Sequence, residues 1–356
     1  MTHIVTLNSI NQEFAVHANE TILEAAIRTG IPLNYGCSSG TCGLCQARLV
    51  SGNIIEIRPH EFVITEAEKL QGNFLTCVCT LKENSVIEAI TAESAQDIPV
   101  QTIEVKVRKV EKLAKGVNKI IIQTPRTKRL RFLAGQYIKL VISDAETFEL
   151  SIASCPCEDR LIELHLRSGE DELSQRIVTH LRPGDILNII GPYGGFVFDE
   201  NVGRSVILFA FDTGFAAIKS LLEHITAQEE ETSIHLIWMS CNKDGLYMNN
   251  LCRSWTDAFD DFRYTGIVLD QALTELTSKP SKSAELMEAH FREVIGAYDD
   301  LASFDVYASA PIPVIKLFRK ICIENNLLPG RFFDEPVRGY ENMSCVVGLK
   351  VTKRHD

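Results

Sequence analysis

No apolar run in the 356 residues approaches the roughly 18 that a membrane helix needs; the longest, 205–211 and 345–349, are far shorter. The first residues, Met1-Thr2-His3-Ile4-Val5, set no basic stretch before an apolar one, so no export signal and a cytoplasmic location are expected. Positive charge is also scarce. With 36 Lys and Arg against 47 Asp and Glu, the net charge of −11 lacks the basic footprint of a nucleic-acid binder. It suits an acidic carrier that docks on a basic patch of an electron acceptor. A disulfide framework is not expected either, because the 11 cysteines are an odd number in a long chain without an export signal. Thiolates for a metal are the expectation instead. Internal repeats and low-complexity segments are missing too.

The chain exceeds what one core comfortably holds, and 45% hydrophobic with 23% charged residues indicates folding throughout. Short apolar runs at 4–7 and 14–16 predict strands; Asn19 is the expected cap of a helix over 20–29, which Gly30 ends. A cysteine loop follows, then strands at 46–50, 53–57 and 86–90 and a small, polar linker over 91–97, which delimits a unit at 1–92. From 101 the alternation of Ile103, Val105 and Val107 and the punctuation at Gly135, Pro183-Gly184 and Gly191-Pro192 predict an antiparallel β-barrel over 100–200. Beyond Arg204, apolar strands alternate with helix-length segments: 206–210 then 215–227, 234–239 then 247–259, 306–307 then 312–325. That is the logic of a parallel sheet over 204–340, with a tail to 356. The expected class is therefore a multidomain α+β and α/β protein.

Chemistry concentrates in Cys37-Ser38-Ser39-Gly40-Thr41-Cys42-Gly43-Leu44-Cys45 with a distant Cys77. This C-x4-C-x2-C spacing with a remote fourth cysteine is the plant-type pattern for a [2Fe–2S] cluster. Three thiolates on one tight loop must converge, and Gly36, Gly40 and Gly43 permit positive φ and close approach of backbone N–H groups to sulfur. Zinc sites favour paired C-x2-C units, and only one occurs here. Spacing alone leaves Cys77 and Cys79 open as the fourth ligand, since both read as residues on one strand face.

These residues resemble the ferredoxin-fused flavoprotein reductases of the ferredoxin-NADP reductase superfamily, which feed ring-hydroxylating oxygenases, di-iron monooxygenases and the deoxysugar 3-dehydrase system. The resemblance covers nearly the whole chain. It implies a β-grasp [2Fe–2S] ferredoxin domain, a flavin-type antiparallel barrel and a nicotinamide-type parallel sheet. It also implies electron transfer from NADH through FAD to the cluster, and on to an oxygenase or similar protein acceptor. The Leu-x-Cys context of that family favours Cys77, giving Cys37, Cys42, Cys45 and Cys77 as metal ligands.

The family's R-x-Y-S segment, which grips the flavin phosphate and stacks on its ring, corresponds to Phe148-Glu149-Leu150-Ser151, followed by Ile152-Ala153-Ser154. Phe148 stands at the arginine position and Leu150 at the aromatic one. Gln136 and Tyr137, with Ser151, Ile152, Ala153 and Ser174, are the implied flavin contacts; 170–172 place carboxylates where relatives carry glycines. In the nicotinamide turn Thr213 and Gly214 remain, whereas Phe211 and Asp212 replace two glycines, and Asp212 is expected to bring negative charge toward a phosphate. Ser309 and Ala310 replace the family's Cys-Gly before Pro311. Ser151 and Ser309 are the implied catalytic hydroxyls, and the lack of Arg or Lys in Ser240-Cys241-Asn242 points to NADH over NADPH.

These departures motivate an alternative: a degenerate reductase serving as a cluster-bearing carrier or scaffold subunit of a larger complex, without flavin or NADH activity. Arg331-Phe332-Phe333-Asp334 resembles a family segment near the flavin edge. Cys155-Pro156-Cys157 reads as adjacent, inert loop thiols, and Trp238 and Trp255 as core.

Overall fold

A computed structural model describes residues 2–338, 340 and 346, apart from 9, 32, 36–39, 42, 92–97, 126–127, 144, 159, 169–171, 199–202, 228–231 and 270–279. Cys37, Cys42, Gly36, the carboxylates at 170–171 and most of the expected linker lie outside the described residues.

The N-terminal unit runs β1 (His3–Leu7), β2 (Gln12–Val16), α1 (Ile22–Arg28), β3 (Gln46–Ser51), β4 (Ile54–Glu56), α2 (Glu66–Leu70), β5 (Asn73–Leu75), β6 (Cys79–Leu81) and β7 (Ser85–Ala89). Its main sheet has the order β2-β1-β7-β3-β5, with β1 and β7 parallel and the other pairs antiparallel. Ile22, Leu23, Ala25 and Ala26 bury one face of α1 in that unit's core, the β-grasp arrangement. The expected cap moves by two residues. Thr21 caps α1, its hydroxyl accepting from Glu24 N–H while the Glu24 carboxylate accepts from Thr21 N–H, whereas Asn19 sits at φ 73 in the preceding turn.

The middle unit comprises β8 (Gln101–Ala114), β9 (Val117–Gln123), β10 (Tyr137–Ser143), β11 (Glu146–Ser151), β12 (Leu161–Arg167), α3 (Glu172–His180) and β13 (Ile186–Tyr193). The strands pair antiparallel in the order β11-β10-β13-β8-β9-β12, and a bridge between Ile152 and Leu164 brings the two ends together as a barrel. Ile103, Val105 and Val107 are buried in its core, as their alternation predicts. The third unit carries β14 (Ser205–Phe211), α4 (Phe215–Ala227), β15 (Ile234–Ser240), α5 (Asn249–Ala258), β16 (Phe262–Val268), α6 (Pro280–Ile295), β17 (Phe304–Ala310), α7 (Ile312–Glu324) and β18 (Phe332–Pro336). Its sheet, β16-β15-β14-β17-β18, is parallel throughout. Among the described residues no helix is long and apolar enough to cross a membrane.

Cys77 corrects a second expectation. The strand over 73–81 is broken, and Cys77 lies in the turn over 76–78 between β5 and β6, not on a strand shared with Cys79. The turn is held by Val78 N–H donating to Leu75 O at 3.2 Å and by Thr76 N–H donating to Cys45 O at 3.0 Å. It faces a cysteine loop pinned by two glycines. Gly40 and Gly43 both have φ +75, and a Cβ on Gly43 would stand 2.3 Å from the Phe62 ring. Gly43→Ala should therefore displace Phe62 and the loop. The expected outcome is iron and sulfide content well below wild type with unchanged far-ultraviolet circular dichroism; full cluster content would contradict this account of the loop.

Candidate functional site

Three features of β12 set the site. Glu163, His165 and Arg167 alternate with the buried Ile162, Leu164 and Leu166, so the polar three share one face, which looks away from the barrel core toward the parallel sheet. Arg167 reaches Asp212 in the turn after β14, its Nε donating to Oδ1 at 2.5 Å and its terminal nitrogen to Oδ2 at 2.7 Å. Asp212 is wholly buried at φ 52 and also accepts from Tyr340 Oη at 2.9 Å and Ser240 Oγ at 3.1 Å. The expected negative charge at the turn is thus turned inward and neutralised. A residue at this φ is best served by glycine, and a short Asp with side-chain partners is a tolerated substitute.

Beside this pair, His165 Nε2 donates to the Glu163 carboxylate at 2.7 Å, and its Nδ1 accepts from Tyr247 Oη at 2.8 Å. Burial pushes the His165 imidazole down and keeps it neutral. Burial raises Glu163, yet the hydrogen bond from His165 and the charge of Lys219 bring it down to about 2. Lys219 of α4 stands 3.6 Å from Glu163 and 2.5 Å from Glu223, and donates to Ala153 O at 2.9 Å. Ser220 donates to Ser154 O at 2.7 Å. The barrel and the parallel sheet are therefore joined by a buried polar seam.

Above the seam opens a cavity of about 480 Å³. Its walls include Tyr137, Phe148, Leu150 and Ser151 from the barrel, Thr213 and Ala216 from the turn and α4, and Glu335, Arg338 and Tyr340 from the C-terminal segment. The cavity brings together Tyr137, Ser151 and Thr213 of the residues named from sequence. Others stand outside it. Gln136 is buried and engaged with backbone, accepting from Leu133 N–H at 2.8 Å and donating to Gly194 O at 3.0 Å. Ile152 lies in the barrel core, and Ala153 is likewise buried, as is Ser174 on α3. Gly214 packs on β17 so tightly that a Cβ would come within 2.1 Å of Ser309 O; Ser309 Oγ is buried without a partner, and Pro311 caps α7.

Leu150 opposes Ile138, and Phe148 opposes Leu140, so both hydrophobes belong to the barrel's inner face while also lining the cavity. Neither supplies charge. Of the cations on the wall, Arg167 is held by Asp212, whereas Arg338 is 80% exposed and stands 3.3 Å from Glu149, with Glu335 also in its field. A surface pair of that kind is weak and easily exchanged for another anion. Burial, with Glu149 and Asp334 nearby, raises the Glu335 carboxyl to about 7, which lightens the negative charge at the same wall. Cavity volume, the Ser151 and Tyr137 hydroxyls and an exchangeable guanidinium fit an isoalloxazine with a phosphate beyond it. Arg167, His165, Glu335, Arg338 and Tyr340 escaped the sequence reading; only the polar alternation along β12 announced the first two.

In the N-terminal unit, Cys45 and Cys77 sulfurs lie 3.2 Å apart, buried, with Thr76 Oγ1 also donating to Cys45 O at 3.1 Å. Two thiols converging in this way form a donor pair for one metal ion, and Cys77, not Cys79, makes the approach.

Asp212 without Arg167 would be an uncompensated buried carboxylate, a loss of about 3–5 kcal/mol. Arg167→Met should lower the stability of the two C-terminal units by that order in urea unfolding followed by tryptophan emission. Trp238 is a direct reporter because its Nε1 donates to Asp212 O at 3.0 Å. Adding Asp212→Asn should recover more than half of the loss; a single variant as stable as wild type would contradict the assignment.

Comparison with known proteins agrees with this architecture. Residues 5–82 match the 2Fe-2S iron-sulfur cluster binding domain family. The chain is 28% identical over 291 residues to terephthalate 1,2-dioxygenase reductase component 1 of Comamonas sp., covering 82% of this chain and 86% of that one. It is 30% identical over 270 residues to the phenol hydroxylase P5 protein of Acinetobacter pittii, 74% of this chain and 75% of that one. The crystal structure of the Amycolatopsis cytochrome P450 reductase GcoB shares the fold, with a TM-score of 0.56 and 19% identity over 94% of this chain and 98% of that one. The three sheets, the cysteine pair and the cavity between barrel and parallel sheet therefore belong together: the chain is a member of the ferredoxin-fused flavoprotein reductase family.

Proposed function

We propose that this chain is the reductase of a multicomponent system. In this reading it takes electrons from NADH through FAD to a [2Fe–2S] cluster and delivers them singly to an oxygenase or similar protein acceptor. The observation that carries the reading is the cavity that sets Ser151 and Tyr137 of the barrel opposite Thr213 of the parallel sheet, in a family of reductases. A flavin held there would supply the change from hydride chemistry to one-electron transfer, and a cluster on the four cysteines would supply a one-electron acceptor.

The residues have separable tasks. Ser151 presents a hydroxyl to the flavin ring edge, and Tyr137, stacked on Tyr193 at 5.6 Å, forms one wall. Arg338 offers the phosphate charge that Phe148 does not. At the nicotinamide turn, Thr213 N–H and hydroxyl point to Tyr340 Oη, the amide at 3.1 Å, so a dinucleotide phosphate competes with that hydroxyl. Ser309 lies behind Gly214, where its buried hydroxyl lacks a protein partner. Cys37, Cys42, Cys45 and Cys77 are the proposed cluster ligands.

A charge-assisted arginine contact to phosphate contributes about 1.5–3 kcal/mol, equivalent to roughly ten- to a hundredfold in affinity. Arg338→Leu should weaken flavin retention by that order, measured as flavin released by acid precipitation per mole of iron. Phe148→Arg in the same chain should restore it. Wild-type protein that carries iron and sulfide but neither retains nor rebinds flavin would overturn the proposal in favour of a cluster-bearing carrier or scaffold.

A further inference from the structure

Between β11 and β12 the sequence Cys155-Pro156-Cys157 reads as two inert thiols, and its geometry is otherwise. An extended i, i+2 pair would set the two cysteines in line along one face, with no reason for their sulfurs to meet. Here Pro156–Glu158 forms a 3₁₀ turn, closed by Glu158 N–H donating to Cys155 O at 2.9 Å. The turn folds the chain back on itself, and Cys157 N–H donates to Cys155 Sγ at 3.3 Å. Cys155 is buried, and Cys157 is half-buried. The neighbouring Cys155 thiol holds the Cys157 thiol below its ordinary range, and Cys157 together with burial pushes Cys155 up. One thiol is thus set up as attacking group and its neighbour as reserve.

The surroundings restrict what can reach them. Cys157 lines a crevice of about 50 Å³ together with Pro156, Ile27 at the end of α1, Tyr35 and His224. A space of that size holds a water-sized molecule, and hydrogen peroxide is little larger. The crevice lies in the seam between the ferredoxin unit and the two C-terminal units. Cys155 N–H also donates to Glu223 at 3.1 Å, and Glu223 is the carboxylate paired with Lys219 of the buried polar seam.

We propose that Cys155 and Cys157 form a peroxide-responsive dithiol that closes reversibly to a disulfide at this seam. The Cys157 thiolate attacks one oxygen of hydrogen peroxide, the O–O bond breaks, and a sulfenic acid and hydroxide result. The Cys155 thiol then attacks the sulfenic sulfur, forming the S–S bond and releasing water. In sum two thiols and one hydrogen peroxide give one disulfide and two waters, the thiols losing two electrons and the peroxide gaining them. Reduction by an external dithiol returns the pair.

The full-length, cluster-loaded protein treated with stoichiometric hydrogen peroxide, quenched in acid, unfolded and alkylated gives a direct test by peptide mass. The peptide containing Cys155 and Cys157 should lose two hydrogens, escape alkylation and recover both thiols with dithiothreitol. Cys252 and Cys322, fully buried and with thiols pushed up by burial, the latter to about 12, should stay alkylatable. In Cys155→Ser the sulfenic acid on Cys157 should persist and be trapped by dimedone. The proposal fails if the wild-type peptide remains doubly alkylated, if Cys157 passes to sulfinic acid without a disulfide, or if Cys252 and Cys322 oxidise equally fast. Because the wild-type protein carries the first measurement, a variant that does not fold leaves the test intact.

Discussion

The ion pair between Arg167 and Asp212 is the contact on which the two C-terminal units depend. Asp212 stands at a positive φ in the turn that opens α4, where its carboxylate is wholly buried. Such a group is tolerated only with a paired charge and satisfied hydrogen bonds. Arg167 comes from the barrel, Ser240 from the next strand of the sheet, and Tyr340 from the C-terminal segment. One carboxylate therefore ties four stretches of chain together at the floor of the cavity, and the position of Thr213 against Ser151 follows from it.

This contact also explains which parts of the protein were legible from sequence. Period-2 alternation in β8 and the mostly apolar runs of β14 and β15 report burial directly, so the barrel and the centre of the parallel sheet could be read from the sequence. β16 and β18 were missed because Arg263, Thr265, Asp334 and Glu335 dilute their hydrophobic pattern at the sheet's two edges. Helix α1 was placed correctly but its cap was not, since Asn19 and Thr21 are both good caps and only the reciprocal bond with Glu24 separates them. Asp212 looked like a defect in a phosphate site. Its partners lie 45 residues upstream and 128 downstream, beyond any local pattern.

The same long-range logic governs the flavin wall. Phe148 removes a cation from the family position, while Arg338, nearly two hundred residues later, stands at the cavity in an exposed pair with Glu149. Function here is a property of where the C-terminal segment lands, not of one motif. In the ferredoxin unit the reverse holds: spacing and glycines announce the cysteine loop, and the structure adds that Cys77 meets Cys45 from a turn. The ferredoxin unit in turn contacts the barrel through Arg131, which donates to the Asn34 side chain beside the cysteine loop.

The proposed function requires a continuous electron path from NADH to the cluster within one chain. Anaerobic addition of NADH to the flavin-loaded protein, followed by low-temperature electron paramagnetic resonance, tests it most directly. NADH alone should produce the signal of a reduced [2Fe–2S] cluster, to the level reached with dithionite. A cluster that dithionite reduces while NADH remains unconsumed and the signal absent would contradict it.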